Sequence, residues 1–201
     1  MLPISVDLRR IRVILVGDGE AARRRLRLLE EAGADALEIY APSPGPALSA
    51  EAGERLRQRL PRRAEIARAQ LVFVAGVAGP AAAEIRRIAR EAGVLINVED
   101  DVRRSNFHSA AVIRRGELSV AVSTGGRSPG LAALMRRVLE QQIGPEWGLH
   151  LDEIAALRAG WREAEADPGT VVRWTQDWVA RQGWLDATPP EASQSESRPI
   201  A

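Results

Sequence analysis

Over the first hundred positions the apolar residues fall into two patterns, short unbroken runs and helical stripes. Val13–Val16 is an unbroken run of the kind that fills a strand buried on both faces of a parallel sheet. From Glu20 the period changes. Ala22, Leu26 and Leu29 recur at i, i+4 and i+7, one face of a helix that Glu31-Ala32-Gly33-Ala34 closes. Ala36–Ala41 reads as a second strand, and 42–52, with Pro42, Pro44, Gly45 and Pro46, as a loop. Leu56–Leu60 alternates with arginine and glutamine as a short strand does, and Arg63–Ala69 is a short helix. Leu71–Ala75 is another buried strand, followed by a turn over Gly76–Pro80. Ala81, Ile85, Ile88, Ala89 and Ala92 mark the next helix, Gly93 stops it, and Leu95–Val98 is the strand after it. Strands alternating with helices at this spacing predict an α/β fold with a parallel, doubly wound sheet.

Past Asp101 the pattern changes. Ser109–Ile113 and Leu118–Ser123 are strand-like and joined by Arg114-Arg115-Gly116-Glu117, which predicts a hairpin. Ser128 then caps a helix that begins at Pro129, carries Leu131, Leu134, Met135, Val138 and Leu139 on one face, and ends at Gly144-Pro145. Trp147, Leu151, Ile154 and Trp161 stripe a further helix; Val171, Trp174 and Trp178 stripe the last. Four of the five tryptophans thus sit in a helical region too short to bury them alone, so the expected cover is another subunit or the cleft of the first domain. From Ala187 on, Pro, Ser, Glu and Gln dominate and disorder is expected.

Composition narrows the chemistry. A chain of 201 residues holds one α/β domain plus a smaller appendage. Its net charge of +1 supplies no field toward nucleic acid or membrane, and neither is expected as a partner. Every basic residue is arginine, which removes Schiff-base and P-loop lysine chemistry. With no cysteine there is no disulfide, thiolate nucleophile or Cys-type metal site, and no metal-binding residues are assigned. The first residues lack a signal-peptide core and no apolar run reaches membrane-spanning length, so a cytoplasmic protein is expected.

Between the first strand and helix the chain reads Gly17-Asp18-Gly19-Glu20-Ala21-Ala22, a Gly-x-Gly-x-x-Ala turn. Such a turn lets a pyrophosphate approach backbone N–H groups at a helix N-terminus, or it is simply a tight strand-to-helix turn; the flanking elements favour the nucleotide. An NAD site usually closes its second strand with an acid on the ribose hydroxyls. Here Glu38 lies inside that strand and its end is neutral, which leaves NAD and NADP open. Glu99-Asp100-Asp101 stands at the carboxyl end of a strand, where mutual repulsion can raise one pKa into the range of proton transfer; the plainer reading is a solvated acidic loop. His108 reads as a loop hydrogen-bonder or a ligand, His150 as structural. Val122–Pro129 is a glycine turn opening a helix, either an anion site or a cap.

Together these blocks resemble the precorrin-2 dehydrogenase / sirohydrochlorin ferrochelatase family, the module fused to the amino terminus of many bacterial siroheme synthases. The resemblance is carried by Leu2-Pro3-Ile4 with Leu8-Arg9, by Val16–Arg23, and by Leu29–Ala34. It continues through Asn97-Val98-Glu99-Asp100 with Asn106-Phe107-His108, and its most specific part is Leu118–Pro129 at the right distance from the Asn-Val-x-Asp block. It covers roughly residues 1–145 well and the helical end loosely. Asp18 where a third glycine is common, Asp101 beside Asp100, and Tyr40 before Ala41 are its departures.

The resemblance implies a Rossmann-type NAD-binding domain over 1–108, a dimerisation segment over 109–145, a small helical domain over 146–186 and a tail over 187–201, assembled as a homodimer. It implies oxidation of precorrin-2 to sirohydrochlorin with NAD⁺, followed in many members by Fe²⁺ insertion. Asp100 takes the place of the catalytic aspartate, with His108 paired to it for metal insertion, and Ser123 and Thr124 take that of the serine-rich turn. Gly17, Gly19, Glu20 and Ala21 match the pyrophosphate turn; Ala41 and Pro42 match the strand end lying against the adenosine. Arg103, Arg104, Arg114, Arg115 and Arg127 are candidate partners for the eight substrate carboxylates. The competing expectations are a dehydrogenase without chelatase activity and a non-catalytic NAD-sensing regulatory domain.

Overall fold

In the computed structural model, residues 2–77 and 79–185 are described; the tail expected to be disordered lies outside them. The chain divides into two units, Met1–Ser109 with Gly125–Ser128, and Ala110–Thr124 with the residues from Pro129 on.

The first unit is built on five parallel strands: β1 (Arg12–Gly17), β2 (Ala36–Tyr40), β3 (Leu56–Arg57), β4 (Leu71–Ala75) and β5 (Leu95–Val98). Their order is β3-β2-β1-β4-β5. Four helices cover the sheet: α1 (Gly19–Glu31), α2 (Pro46–Ala52), α3 (Arg63–Arg68) and α4 (Gly79–Glu91). Because successive strand residues point to opposite faces, the apolar runs serve both layers at once. Val13, Leu15, Leu37, Ile39, Leu71 and Phe73 meet Ala22, Leu26 and Leu29 of α1 and Leu48 and Ala52 of α2. On the other face Ile14, Val16, Val72, Val74, Ile96 and Val98 meet Ile66 of α3 and the buried stripe of α4. The chain runs outward from β1 to β3, then returns to β4 on the opposite side of β1. That reversal opens a crevice at the carboxyl ends of β1 and β4, where ligands of such sheets bind.

One segment corrects the sequence reading: the loop expected over 42–52 contains α2. Pro46 occupies the first helical position, where its missing N–H has no helical partner to lose, and Leu48 and Ala52 bury one face at i and i+4. The strand expected over 56–60 is shorter, Leu56–Arg57 beside Ile39 and Tyr40.

Glu65 fixes the start of α3. Its carboxylate accepts from both Arg59 amino groups, at 2.8 and 2.6 Å, and from the Arg62 backbone N–H at 2.6 Å. Chiefly through Arg59, its pKa is held down to about 2. The unfolded chain therefore binds the proton more readily, so this contribution is complete above the ordinary carboxylate range and disappears as pH falls toward 2. Glu65→Gln is expected to cost about 1.5–3 kcal/mol at neutral pH and much less near pH 2, measured by urea unfolding across that range.

The second unit holds an antiparallel hairpin, β6 (Ala111–Arg115) and β7 (Leu118–Val122), and three helices, α5 (Pro129–Gln142), α6 (Trp147–Glu163) and α7 (Pro168–Gln182). Its interior is thin: among the described residues, Ile113, Ala132, Ile154 and Val171 are its buried apolar side chains. Aromatic contacts extend it. His150 stacks on Trp184 at 3.9 Å and meets Trp147 edge-on, and Trp161 meets Trp174 at 5.6 Å. Along α5 the face of Leu131, Leu134, Met135 and Val138 is 43–49% exposed. Among the described residues no helix is long and apolar enough to cross a membrane.

Candidate active site

Gly17 ends β1 so tightly against β4 that a Cβ there would lie 1.7 Å from the Ala75 carbonyl oxygen. The loop after β4 closes on the same turn, since a Cβ on Gly76 would lie 2.2 Å from the Asp18 oxygen. Read from the sequence, Gly76 is only part of a turn, although a glycine directly after a buried strand is the signal for this close approach. Gly19 differs from both. It adopts φ +70°, which favours glycine, and a Cβ there would meet nothing within 4 Å, so the turn is open on that side.

Asp18 precedes α1 but does not cap it; its Oδ1 instead accepts from the Gly45 N–H at 3.1 Å. The first-turn N–H groups of this 13-residue helix are thus left without a side-chain cap, and the Asp18 carboxylate is tied to the loop after β2. Glu20 also lies in this turn, where Arg23 (2.8 Å) and Arg27 (2.7 Å) neutralise it. Ala21 is half-buried behind it, Ala41 is buried at the end of β2, and Pro42 is exposed beyond it. Uncapped donors, an open glycine and a neutral strand end fit the pyrophosphate and adenosine portions of a dinucleotide.

The acidic run lies on the same edge. Gly17 pairs with Ala75 and Val74 with Val98, and the Glu99 N–H donates to the Val74 carbonyl at 2.9 Å. Gly17, Ala75 and Glu99 therefore form one row across three neighbouring strands, a span of about 10 Å at ordinary strand spacing. The three carboxylates do not act as a cluster. Glu99 pairs with Arg24 at 3.4 Å, while Asp101 accepts from the Arg104 backbone N–H at 2.9 Å and pairs with its side chain. Asp100 is exposed and stands at φ +58°, a left-handed conformation uncommon outside glycine.

From Asp101 the chain turns back along β5 and satisfies its open edge. Ser105 Oγ accepts from the Val98 N–H (2.9 Å), and Asn106 Oδ1 accepts from the Ile96 N–H (2.7 Å). The buried Asn97 donates to the Phe107 carbonyl (3.0 Å), which sets half-buried His108 beside the acidic loop in sequence and on the same unit. Gly126 also belongs to this unit; a Cβ on it would meet Val102 and His108. Gly17, Gly19, Glu20, Ala21, Ala41, Pro42, Asp100 and His108 all belong to the first unit, whereas Ser123 and Thr124 follow β7 in the second. Of the candidate carboxylate-binding arginines, Arg103, Arg104, Arg114 and Arg127 are exposed, Arg104 in an ion pair with Asp101. Arg115 is committed elsewhere: its Nε donates to the Ile143 carbonyl at 2.9 Å, fastening the hairpin to the end of α5.

A family model described as "Putative NAD(P)-binding" matches residues 4–111, and one described as "Sirohaem biosynthesis protein central" matches 115–142. Siroheme synthase 1 of Aeromonas salmonicida is 38% identical over 164 residues, 80% of this chain and 34% of the relative. A siroheme synthase of Chromobacterium violaceum is 39% identical over 167 residues, 81% of this chain and 34% of the relative. The chain thus spans about a third of the length of these relatives. Among solved structures, one described as SirC, precorrin-2 dehydrogenase, has the same fold, with a TM-score of 0.68 at 20% identity over 92% of each chain. With the first model covering more than half of its 201 residues, the chain belongs to the NAD(P)-binding family, and the match to the sirohaem biosynthesis central model follows it in sequence.

Proposed function

We propose that the chain is an NAD⁺-dependent precorrin-2 dehydrogenase, working in the cytoplasm as a homodimer. The observation that carries this is the common edge: the open glycine turn after β1 and the Asp100–His108 segment after β5 end in one row of the sheet. The siroheme synthase relatives and the fold of the dehydrogenase support the choice of a tetrapyrrole as substrate.

Oxidation to sirohydrochlorin removes two electrons and two hydrogens, one as hydride and one as a proton. Bound NAD⁺ supplies the hydride acceptor, held by Gly17, Gly19, Glu20 and Ala21 at the pyrophosphate and by Ala41 and Pro42 at the adenosine. Asp100, a carboxylate exposed at the strand end, takes the proton released from the macrocycle. Exposed Arg103 and Arg127, on the same unit as Asp100, hold substrate carboxylates. Fe²⁺ enters as a second substrate, with Asp100 and His108 receiving pyrrole N–H protons as the metal is delivered. The test is anaerobic incubation with precorrin-2 and NAD⁺, then Fe²⁺. One NADH per sirohydrochlorin, followed by the siroheme spectrum, is expected; sirohydrochlorin that stays metal-free marks a dehydrogenase alone, and NAD⁺ binding without any conversion marks a sensor.

The dimer is supported by the second unit. A lone two-stranded hairpin is marginal in water, and four large apolar side chains of α5 stand about half exposed beside it in sequence. Light scattering is expected to give twice the chain mass, and Leu134→Glu with Val138→Glu to give the monomer; a wild-type monomer at micromolar concentration contradicts the assembly.

A further inference from the structure

Arg25 lies on α1 beyond the glycine turn, yet its side chain reaches the segment after β5. Its guanidinium carbon stands 4.9 Å over the centre of the Phe73 ring, and Nη1 donates to Ser109 Oγ at 2.8 Å. Partial burial draws its pKa below the ordinary arginine value, with Glu99 opposing; it stays charged at any pH of interest. Phe73 in turn packs edge-on against Phe107 at 5.2 Å, and Asn97 holds the Phe107 carbonyl at 3.0 Å. His108 is therefore fastened on both sides: Phe107 before it to the sheet, and Ser109 after it to α1.

We propose that Arg25 is a positioning residue which, through its bond to Ser109 and its seat on Phe73, holds His108 in place relative to the carboxyl edge of the sheet. This rests on the Fe²⁺-insertion part of that reading for its effect on turnover, but not for its effect on His108 itself. A planar guanidinium meets both demands, a donor at one edge and a flat face on the ring, which neither lysine nor methionine can do. The same helix begins at the glycine turn, so one rigid element links the dinucleotide end of the site to the histidine.

The test compares Arg25→Met, which keeps packing over Phe73, with Ser109→Ala, which removes only the acceptor, and with the double variant. Loss of placement by about an ångström lowers kcat by about tenfold to a hundredfold. Expected results are a kcat for Fe²⁺ insertion into sirohydrochlorin reduced in that range for Arg25→Met, less for Ser109→Ala, and no further loss in the double variant. The Kd for NAD⁺ stays within about twofold, and Ser109→Thr restores the rate. A fall in melting temperature and NAD⁺ affinity that parallels the rate, additive losses, or unchanged kcat overturns the proposal. Because the chain has only two histidines, the imidazole ¹H–¹³C signals of the ligand-free protein give a readout independent of turnover. One sharp His108 signal in the wild type that broadens or splits in Arg25→Met and Ser109→Ala supports the proposal even if Fe²⁺ is not inserted. An unchanged His108 signal in both variants overturns it whatever the activity.

Discussion

Asp100→Asn is expected to lower the rate of precorrin-2 oxidation by about a hundredfold to ten-thousandfold, the range a positioned general base contributes, while NAD⁺ binds as before. Asparagine is the informative replacement. Residue 100 stands at φ +58°, which asparagine tolerates better than most side chains, so the turn survives and only the proton acceptor is lost. Asp100→Ala would add a backbone cost of about 1–2 kcal/mol and blur the result. Glu99→Gln and Asp101→Asn are the controls, since each breaks an ion pair with a different arginine. Both are expected to change turnover only a few-fold. Full activity in Asp100→Asn, or a loss shared equally by all three variants, would remove Asp100 from the role of base. The rates are measured under single-turnover conditions from NADH absorbance, with NAD⁺ affinity measured by calorimetry.

The largest effect on stability is expected at Gly17. A Cβ placed 1.7 Å from the Ala75 carbonyl oxygen meets backbone rather than a flexible side chain, so two strands must separate to admit it. Gly17→Val is expected to destabilise by more than about 3 kcal/mol, above ordinary overpacking, and to leave little folded protein. Gly19→Ala gives the contrast. With nothing within 4 Å, its Cβ costs only the left-handed backbone, about 1–2 kcal/mol, but it projects on the open side of the turn. The folded fraction then stays high while NAD⁺ affinity falls at least tenfold. Thermal unfolding and calorimetry on both variants separate the two roles; a Gly17→Val protein as stable as the wild type would show that this close approach is not what holds β1 to β4.

The apolar runs make the sheet legible in the sequence, because Val13–Val16 and Leu71–Ala75 must bury both faces and only a central parallel strand does that. The stripe Ala22, Leu26, Leu29 named the inward face of α1 for the same reason. Helix α2 was not legible: three prolines close together read as breakers, and only the burial of Leu48 and Ala52 shows that Pro46 begins a helix. At the site, the glycine turn and the Asn-Val-Glu-Asp block stand out locally, since each depends on residues close in sequence. The tie between Arg25 and Ser109 spans 84 positions, and the return of Gly125–Ser128 to the first unit separates it from its own hairpin. Neither leaves any periodic trace. The independence of the three carboxylates was likewise hidden, because Arg24 reaches Glu99 from a distant helix and Arg104 reaches Asp101 from a local turn.

The most direct test of the common edge is diffraction from crystals grown with NAD⁺. The expected result is adenosine beside Ala41 and Pro42, pyrophosphate over Gly19, and the nicotinamide ring extending toward β4 and β5, on the side where Asp100 stands. A nicotinamide ring lying over β2 and β3, with Asp100 more than about two strand spacings from it, would contradict the assignment of that carboxylate to the reaction.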